Sequence, residues 1–223
     1  MPKIIDLSYD IEEGMATFNA SWHPRISVKQ LGRIGFEGRE TREIILGTHT
    51  GTHVDAPLHF LAGAESIENI KLETLIGPVT IFDMTHLGEN QAVVVKMLES
   101  FDITKRVLFK FGWGRYWGNK KFYQGYPFFS VEATQYLIDK GVELIGIDTP
   151  SPDDSRINLS GDVMGSHMDS PIHKMFLGKN IVLVEYVANL DKVIDYNGWN
   201  IIVMPIRLKG ADGAPARVCL IKE

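Results

Sequence analysis

Short runs of apolar and β-branched residues recur along the chain, separated by glycine, proline and polar residues. Runs of this length and composition are typical of strands. The chain between the first two runs lacks the pattern and is predicted to be irregular. The predicted strands are 3–11, 41–50, 78–84, 106–114, 142–150, 180–187, 200–208 and 216–222.

Helical patterns are fewer than strand patterns. Residues 66–76 place their apolar side chains on one helical face and end at a Gly-Pro pair. A second helix is predicted at 93–101, and a third at 131–141, which follows a serine cap and ends in glycine. Because strands outnumber helices, the sequence predicts an α/β fold, with a mixed sheet and flanking helices, in one domain spanning 1–223.

The composition narrows the class of partner. The net charge is −5, and the lysines and arginines are scattered, so no basic patch for nucleic acid or an anionic membrane is expected. A small-molecule substrate is the favoured partner. The single cysteine, Cys219, excludes an intrachain disulfide and a thiolate metal cluster. No apolar run suits a signal peptide or a membrane span, so a cytoplasmic location is expected.

Candidate chemistry is concentrated in one segment, 47–60, which contains three of the seven histidines. His53 and Asp55 follow His49 at offsets of 4 and 6. On an extended chain, where side chains alternate between faces, these even offsets direct the three side chains to the same side. A helix could also bring residues four apart together, but the glycine, proline and β-branched residues of this segment disfavour it. We therefore expect these side chains to bind one divalent ion.

Two imidazoles and a carboxylate suit Zn, Mn or Fe and leave coordination positions open for water and substrate, which indicates catalysis. The competing interpretation is that these histidines are ordinary surface or core residues near a turn. His59 differs from the others because it lies beyond Pro57, where the chain must bend. It is either a fourth ligand or a free base beside the metal.

The run HTGTHVDAPLHF, from His49 to Phe60, resembles the signature of the metal-dependent cyclase family, which includes bacterial kynurenine formamidases and isatin hydrolases. The resemblance extends over nearly the whole chain. It implies the family's swivelling β/β/α fold and assembly as a homodimer or homotetramer. The further segments that resemble the family are 6–15, 111–117, 144–153 and 207–218.

The resemblance also implies a second half to the site. In the formamidases a histidine and a glutamate twelve residues later hold a second metal together with the motif aspartate, and His173 and Glu185 have that spacing here. On its own, Glu185 is a charge inside an apolar predicted strand, where a carboxylate needs a partner or a metal. A salt bridge at a strand edge is the alternative. One or two Zn or Mn ions per chain are therefore expected.

The function that the resemblance implies is hydrolysis of an amide or lactam by metal-activated water, with His59 moving protons. The favoured substrate is N-formylkynurenine, converted to kynurenine and formate in tryptophan catabolism. An isatin hydrolase or another cyclic amide hydrolase is the alternative. From other classes, a non-haem Fe(II) oxygenase and a metal-binding protein without catalysis remain open, because two histidines and a carboxylate also suit them.

Aromatic side chains are expected to stack on the substrate ring. Candidates are Phe18, Trp22 and Trp113, with Trp117 in addition. For the last two, packing in the core is the alternative. Formamidases carry a Trp-Pro-Gly-Asp-like stretch after the first strand, whereas residues 18–22 here are FNASW. Phe18 therefore stands in place of the family's ring-stacking tryptophan, or that tryptophan is displaced.

Two segments of the chain share a sequence pattern. THVDAPLH at 52–59 and SHMDSPIH at 166–173 share the order hydroxyl, histidine, apolar, aspartate, small, proline, aliphatic, histidine. The second segment adds His167 and Asp169 as candidates for the site or its entrance. Solvated loop residues are the alternative interpretation.

Overall fold

The structure is a computed structural model that describes residues 2–18, 23–158 and 169–223. Trp22 and His167 lie outside the described residues. Within those ranges, no helix combines the length and the apolar character needed to cross a bilayer.

Strands dominate the secondary structure, as predicted, and most helices are short. The strands are β1 Lys3–Asp6, β2 Ser27–Gly32, β3 Thr41–Ile45, β4 His53–Asp55, β5 Ile76–Asp83, β6 Ala92–Val93, β7 Arg106–Lys110, β8 Phe128–Phe129, β9 Leu144–Ile147, β10 Val182–Glu185, β11 Asn200–Pro205 and β12 Gly213–Lys222. The α-helices are α1 Ile34–Glu37, α2 Leu72–Leu75, α3 Val131–Asp139, α4 Ser155–Asn158 and α5 Pro171–Leu177. Turns of 3-10 helix occupy Pro57–His59, Ile67–Asn69, Val95–Met97, Trp113–Tyr116, Lys120–Tyr123 and Leu190–Lys192.

Eight strands form a mixed sheet in the order β1-β12-β11-β5-β7-β9-β10-β4. The central pairs β5–β7, β7–β9 and β9–β10 are parallel, whereas β1, β4, β11 and β12 pair antiparallel with their neighbours. The first residues of β12 also pair with β4. This pairing closes the strands from β12 to β4 into a ring, so the sheet has an interior and an exterior face.

Successive side chains of the strands point to opposite faces of the sheet and belong to two different hydrophobic clusters. Leu108 of β7 and Val184 of β10 belong to a cluster that takes residues from every strand of the ring and fills its interior. Phe109, the next residue of β7, belongs to a second cluster on the exterior face, where α3 and α5 pack through Leu137 and Phe176. Because side chains of a strand alternate between faces, a hydrophobic core forms on each side of the parallel strands, and α3 and α5 cover the exterior one.

The predicted helices have different outcomes. The helix at 131–141 is confirmed as α3, and the Ser130 hydroxyl accepts a hydrogen bond from the Ala133 N–H at its first turn. The helix at 66–76 is reduced to a 3-10 turn and α2. The helix at 93–101 is wrong, because this segment begins in β6 and continues as a single 3-10 turn. β6 gains hydrogen bonds by pairing with β8, a long-range contact that local periodicity cannot reveal.

The segment between the first two predicted strands is not irregular throughout. It contains β2, which pairs antiparallel with β3 to form a hairpin separate from the main sheet. Large apolar side chains on this hairpin and on the helix α1 at its tip are exposed. These residues are Leu31, Ile34, Phe36, Ile44 and Ile45.

Candidate metal centre and active site

A cavity of about 410 Å³ opens beside β4 and collects most of the residues singled out in the sequence. Histidines, carboxylates and aromatic rings share its wall, so polar chemistry and apolar surface meet in one place. The lining residues are Phe18, His23, His49, His53, His59, Phe60, Pro150, Ser151, Asp169, Ser170, His173, Glu185, Tyr186 and Asp212.

Strand register places three of the predicted ligands. His53 and Asp55 flank Val54, whose side chain is buried in the ring interior, so both point to the exterior face. Glu185 of β10 lies directly opposite His53 in the antiparallel pair, and its Oε2 is 3.5 Å from Nε2 of His53. The carboxylate therefore lies beside His53, although the two residues are 132 positions apart in the sequence (185 − 53).

His49 reaches the centre by a different route from the one predicted. The chain is extended over His53–Asp55, but residues 48–52 form turns and bends, with Gly51 at φ +60. The expectation of one extended segment from 49 to 55 is therefore wrong for its first half, because this left-handed glycine reverses the chain. Even so, Nδ1 of His49 lies 2.7 Å from Oδ1 of Asp55.

His173 lies in the first turn of α5, after Pro171 at the N-terminal position that proline favours. Asp153 holds this turn, because its carboxylate accepts hydrogen bonds from the backbone N–H groups of Ile172 and His173. Oδ2 of Asp153 is also 2.5 Å from Nδ1 of His173. The other ring nitrogen, Nε2, is 3.1 Å from Oε1 of Glu185.

His59 ends the 3-10 turn that begins at Pro57, which is the predicted bend. Its Nδ1 lies 3.0 Å from Oδ2 of Asp212, a residue of the loop that connects β11 to β12. The same carboxylate oxygen lies 2.7 Å from Nε2 of His49. The rings of His49 and His59 pack on each other, with centroids 3.9 Å apart.

Asp55 lies at the middle of the cluster, and its two oxygens face different partners. Oδ1 lies 2.7 Å from Nδ1 of His49 and 3.2 Å from Nε2 of His53. Oδ2 is buried without a hydrogen-bond partner in the described part of the chain, and Nε2 of His173 lies 3.6 Å from it. A buried carboxylate oxygen without a donor is costly unless a cation or a proton is supplied to it.

In His49, His53 and His173, the ring nitrogen that faces away from the centre lies within hydrogen-bond distance of an oxygen acceptor of the protein. Nε2 of His49 faces Asp212, Nδ1 of His173 faces Asp153, and Nδ1 of His53 lies 2.8 Å from the Gly51 carbonyl oxygen. One nitrogen of each ring therefore remains for the centre. Carboxylate or carbonyl groups behind imidazoles are the usual arrangement around metal-ligating histidines.

Burial and mutual contact shift the pKa values of the acidic and basic groups in the cluster. Burial opposes ionisation of Asp55, but His49 and His173 outweigh it and hold the pKa of the carboxyl well below its usual range. Burial lowers the pKa of His49, yet Asp55 and Asp212 raise it to about 10. Burial and the nearby Asp55 charge raise the pKa of Glu185. The raised pKa of His49 favours its positively charged ring, and a divalent ion bound at the centre would supply that positive charge instead.

Donor atoms in the described residues converge closely enough to hold metal. One group joins His49, Asp55 and His59, and another joins His53, Asp55 and Glu185, with ligand atoms within 4.8 Å of one another in each. Asp55 belongs to both. The predicted partition, with His49 and His53 on one ion and His173 and Glu185 on the other, stays a prediction, as does the role of His59.

The predicted aromatic residues divide between the cavity and the core. Phe18 lines the cavity. Trp113 does not; it is fully buried in the exterior cluster, and its indole N–H donates to the Phe122 carbonyl oxygen, so core packing is the correct interpretation for this residue. Trp117 stacks on Tyr9 at a centroid distance of 3.9 Å. Asp169 lines the cavity and accepts a hydrogen bond from the Ser170 hydroxyl.

Several residues of the site were missed in the sequence, among them two aspartates and a histidine. Asp212 and Asp153 lie in segments that resemble the family, yet neither has a regular spacing from the histidines it contacts. His23 lines the cavity, and burial together with the nearby His49 lowers its pKa to about 4. Polar residues directly after a buried strand, as in DTPSPD at 148–153, were the available signal for Asp153.

Comparison with protein families decides the classification. The family model described as Cyclase matches residues 5–154 of the chain. The chain belongs to the Cyclase family. The matched residues include the whole segment 47–60 and Asp153, whereas His173, Glu185 and Asp212 lie beyond them.

Relatives of the family cover almost the whole chain. A kynurenine formamidase of Bacillus cytotoxicus is 29% identical over 222 residues, which cover 97% of this chain and 96% of that protein. A kynurenine formamidase of Bacillus cereus is 28% identical over 226 residues, with the same coverage of each chain.

Several solved structures share the fold of this chain. Isatin hydrolase A from Labrenzia aggregata, bound to benzyl benzoate, has a TM-score of 0.87 at 20% identity and covers 99% of this chain and 94% of that one. At this identity the likeness shows the fold alone. A predicted metal-dependent hydrolase from Bacillus stearothermophilus has a TM-score of 0.78 at 28% identity, with complete coverage of both chains (100% each).

Proposed function

We propose that this chain is a metal-dependent hydrolase of non-peptide amide bonds, acting as an arylformamidase that converts N-formylkynurenine to kynurenine and formate in tryptophan catabolism. One observation carries the proposal. Asp55 lies between two sets of donors: its Oδ1 is beside His49 and His53, and its Oδ2, which has no hydrogen-bond partner among the described residues, is beside His173. The names of the Bacillus relatives support the choice of reaction.

The residues present fit one or two divalent ions. His49, His53 and Asp55 would hold the first, and Asp55, His173 and Glu185 the second. Imidazole and carboxylate donors suit Zn or Mn, and carboxylates that bridge two ions are typical of hydrolytic centres. An ion bound there supplies a Lewis acid that lowers the pKa of water and polarises the substrate carbonyl.

His59 is the residue that moves protons in this proposal. Its side chain is one-quarter exposed to the cavity, whereas those of His53 and His173 are nearly inaccessible. Nδ1 faces Asp212, so Nε2 is the nitrogen left for exchange with water or substrate. It would accept a proton from the attacking water and deliver one to the departing aryl amine nitrogen.

Aromatic side chains would hold the aryl ring of the substrate. Phe18, Phe60 and Tyr186 line the cavity around the polar centre. Ring stacking and edge contacts with such residues favour a flat apolar group and place its amide substituent toward the histidines. The cavity volume of about 410 Å³ is within the range of small-molecule sites.

Metal content and activity measured together test the proposal. Protein purified without chelator is expected to contain Zn or Mn and to hydrolyse N-formylkynurenine. Removal of metal should abolish hydrolysis, and addition of either ion should restore it. Metal-free protein with full activity would contradict the proposal. Oxygen consumption during turnover would instead identify an Fe(II) oxygenase, and bound metal without turnover would identify a binding protein.

Hydrolysis of isatin or another cyclic amide is the second candidate. The position of Phe18, instead of tryptophan, on the cavity wall favours it, and solved isatin hydrolases share the fold. Assays of the same protein with N-formylkynurenine and with isatin separate the two candidates. The ratio of the two kcat/KM values measures which substrate's transition state the site binds more tightly.

Assembly and overall architecture extend the proposal. We propose a swivelling β/β/α fold in a single domain that forms a homodimer or homotetramer. The exposed apolar side chains of the β2–β3 hairpin support assembly, since such patches mark interaction surfaces. Light scattering on the protein as it elutes from a size-exclusion column measures the mass of the assembly and tests this proposal. A cytoplasmic location stays a prediction that cell fractionation tests.

A further inference from the structure

We propose that Asp212 is a positioning residue that fixes two histidines of the site at once, setting which nitrogen of each is available for chemistry. The inference rests on the proposed function, because it assigns His49 to the metal and His59 to proton transfer. Asp212 has no place in the histidine motif and follows His59 by 153 positions.

One oxygen of Asp212 makes both contacts. Oδ2 lies 2.7 Å from Nε2 of His49 and 3.0 Å from Nδ1 of His59. A carboxylate only accepts hydrogen bonds, so each of these nitrogens must carry a proton. Nδ1 of His49 is then the nitrogen left for the centre, and Nε2 of His59 is the nitrogen left for proton exchange.

The backbone around Asp212 fixes its position. Its carbonyl oxygen accepts a hydrogen bond from the Ala56 N–H, and the next residue, Gly213, is the register partner of Asp55 on β4. The loop is also tethered by the Gly210 N–H, which donates to Oε1 of Glu68. The carboxylate is therefore presented by the same strand pair that presents the central ligand.

Close packing at Gly213 explains how His49 reaches Asp212. A Cβ at this position would lie 2.6 Å from the Val54 carbonyl oxygen and 3.0 Å from Cε1 of His49. The absence of a side chain leaves the space that the His49 ring occupies. The His49 ring lies close to Gly213 of β12 and to the ring of His59, and both imidazoles approach one carboxylate oxygen.

The chemical consequence is coupling between the metal ligand and the base. Groups behind metal-binding histidines set ring orientation and ligand basicity, and their loss usually costs about 10- to 100-fold in metal affinity or activity. An acceptor on Nδ1 likewise holds an imidazole in the tautomer with a bare Nε2, as general bases require. Asp212 performs both tasks, so its removal should affect both.

Replacement of Asp212 by Ala tests both roles with readouts that do not require turnover. Zinc affinity, measured by competition with a chromophoric chelator, should fall about 10- to 100-fold. In 15N-histidine NMR spectra of the zinc-loaded protein, His59 should change from the Nδ1–H tautomer to a population dominated by Nε2–H. The His59→Asn variant identifies the His59 signals. Wild-type affinity together with an unchanged tautomer would overturn the proposal.

Two further variants separate positioning from a general loss of structure. Glu68→Ala removes a tether of the same loop without touching either histidine and should leave affinity and tautomer unchanged. Equal losses in Glu68→Ala and Asp212→Ala would mean that loop displacement is the cause, and the proposal would be wrong. Asp212→Asn keeps the side-chain volume and one acceptor oxygen, so a smaller loss is expected; it keeps the test available if Asp212→Ala does not fold.

The activity assay distinguishes failure of this inference from failure of the proposed function. With N-formylkynurenine, Asp212→Ala should lower kcat far more than it raises KM, because the aromatic wall of the cavity is unchanged. A wild-type protein that hydrolyses neither N-formylkynurenine nor isatin would contradict the proposed function. The affinity and tautomer measurements would still decide the role of Asp212.

Discussion

Asp153 and His173 form a closely coupled pair in which Oδ2 of the aspartate lies 2.5 Å from Nδ1 of the histidine. Asp153 is completely buried and also accepts the two backbone N–H groups that open α5. The carboxylate therefore sets both the start of the helix and the orientation of the imidazole. Burial lowers the pKa of His173, but Asp153, Asp55 and Glu185 outweigh it and raise the pKa well above its usual value.

Asp153→Asn should weaken metal binding at the half of the site that contains His173. The amide retains one acceptor oxygen but also places a donor where three donors converge, so the imidazole loses its fixed orientation. We expect affinity for Zn to fall about 10- to 100-fold, measured by competition titration. Asp154→Asn, which removes the neighbouring pair with Arg156 away from the cavity, is the control and should bind Zn normally.

Glu185→Gln should change the metal stoichiometry. Glu185 supplies the carboxylate that faces His173 and His53, and an amide is a weaker ligand for Zn or Mn. If two ions bind per wild-type chain, this variant should bind one, as counted by elemental analysis after saturation. Two ions in the variant, or a single ion in the wild type whose affinity does not change, would rule out the binuclear arrangement. Glu143→Gln, at a surface pair with Lys105, serves as control.

His59→Asn should separate catalysis from metal binding. Loss of a positioned general acid or base lowers kcat by roughly 10²- to 10⁴-fold, while metal content should stay near that of the wild type. Activated aryl esters should retain more activity than amides, because their leaving groups need little protonation. An emptied metal site would show instead that His59 is an essential ligand, grouped with His49 and Asp55, whose donor atoms lie within 4.8 Å of its own. His86→Asn, at an exposed histidine, should behave as wild type.

Asp83→Asn should reveal a pH-dependent contribution to stability at a residue that does not line the cavity. Burial opposes ionisation of Asp83, but hydrogen bonds from Thr85 and Tyr196 outweigh it and lower its pKa below the usual 3.8. A depressed folded-state pKa stabilises the protein above pH 3.8 and loses that effect as pH falls through the folded value. Chemical unfolding should show a deficit of about 1 kcal/mol at pH 7 that shrinks below pH 4.

A companion variant checks the assignment for Asp83. Tyr196→Phe removes the hydroxyl that donates to Oδ2 of Asp83. The difference in unfolding free energy between pH 7 and pH 3 should then be smaller than in the wild type. A deficit in Asp83→Asn that is constant across this pH range would contradict the linkage.

The sequence by itself determined the chemistry of the motif and much of the local structure. His49, His53, Asp55 and His59 were identified from spacing and residue type, and all four line the cavity or its centre. Strands 76–83, 106–110 and 182–185 were found because buried strands have continuous apolar runs. The helix α3 was found because its cap, periodicity and terminal glycine are all local signals.

Only the tertiary structure decided which groups stand behind the histidines. Asp212 meets His49 and His59 because β12 pairs with β4, and Asp153 meets His173 because α5 packs on the exterior face of the sheet. Such contacts depend on sheet closure and register, which join residues with no fixed separation along the chain. The local pattern of apolar and polar residues therefore cannot predict these contacts. The same reason explains β6, whose partner β8 is distant in sequence, and Trp113, whose burial in the core was set by packing around it.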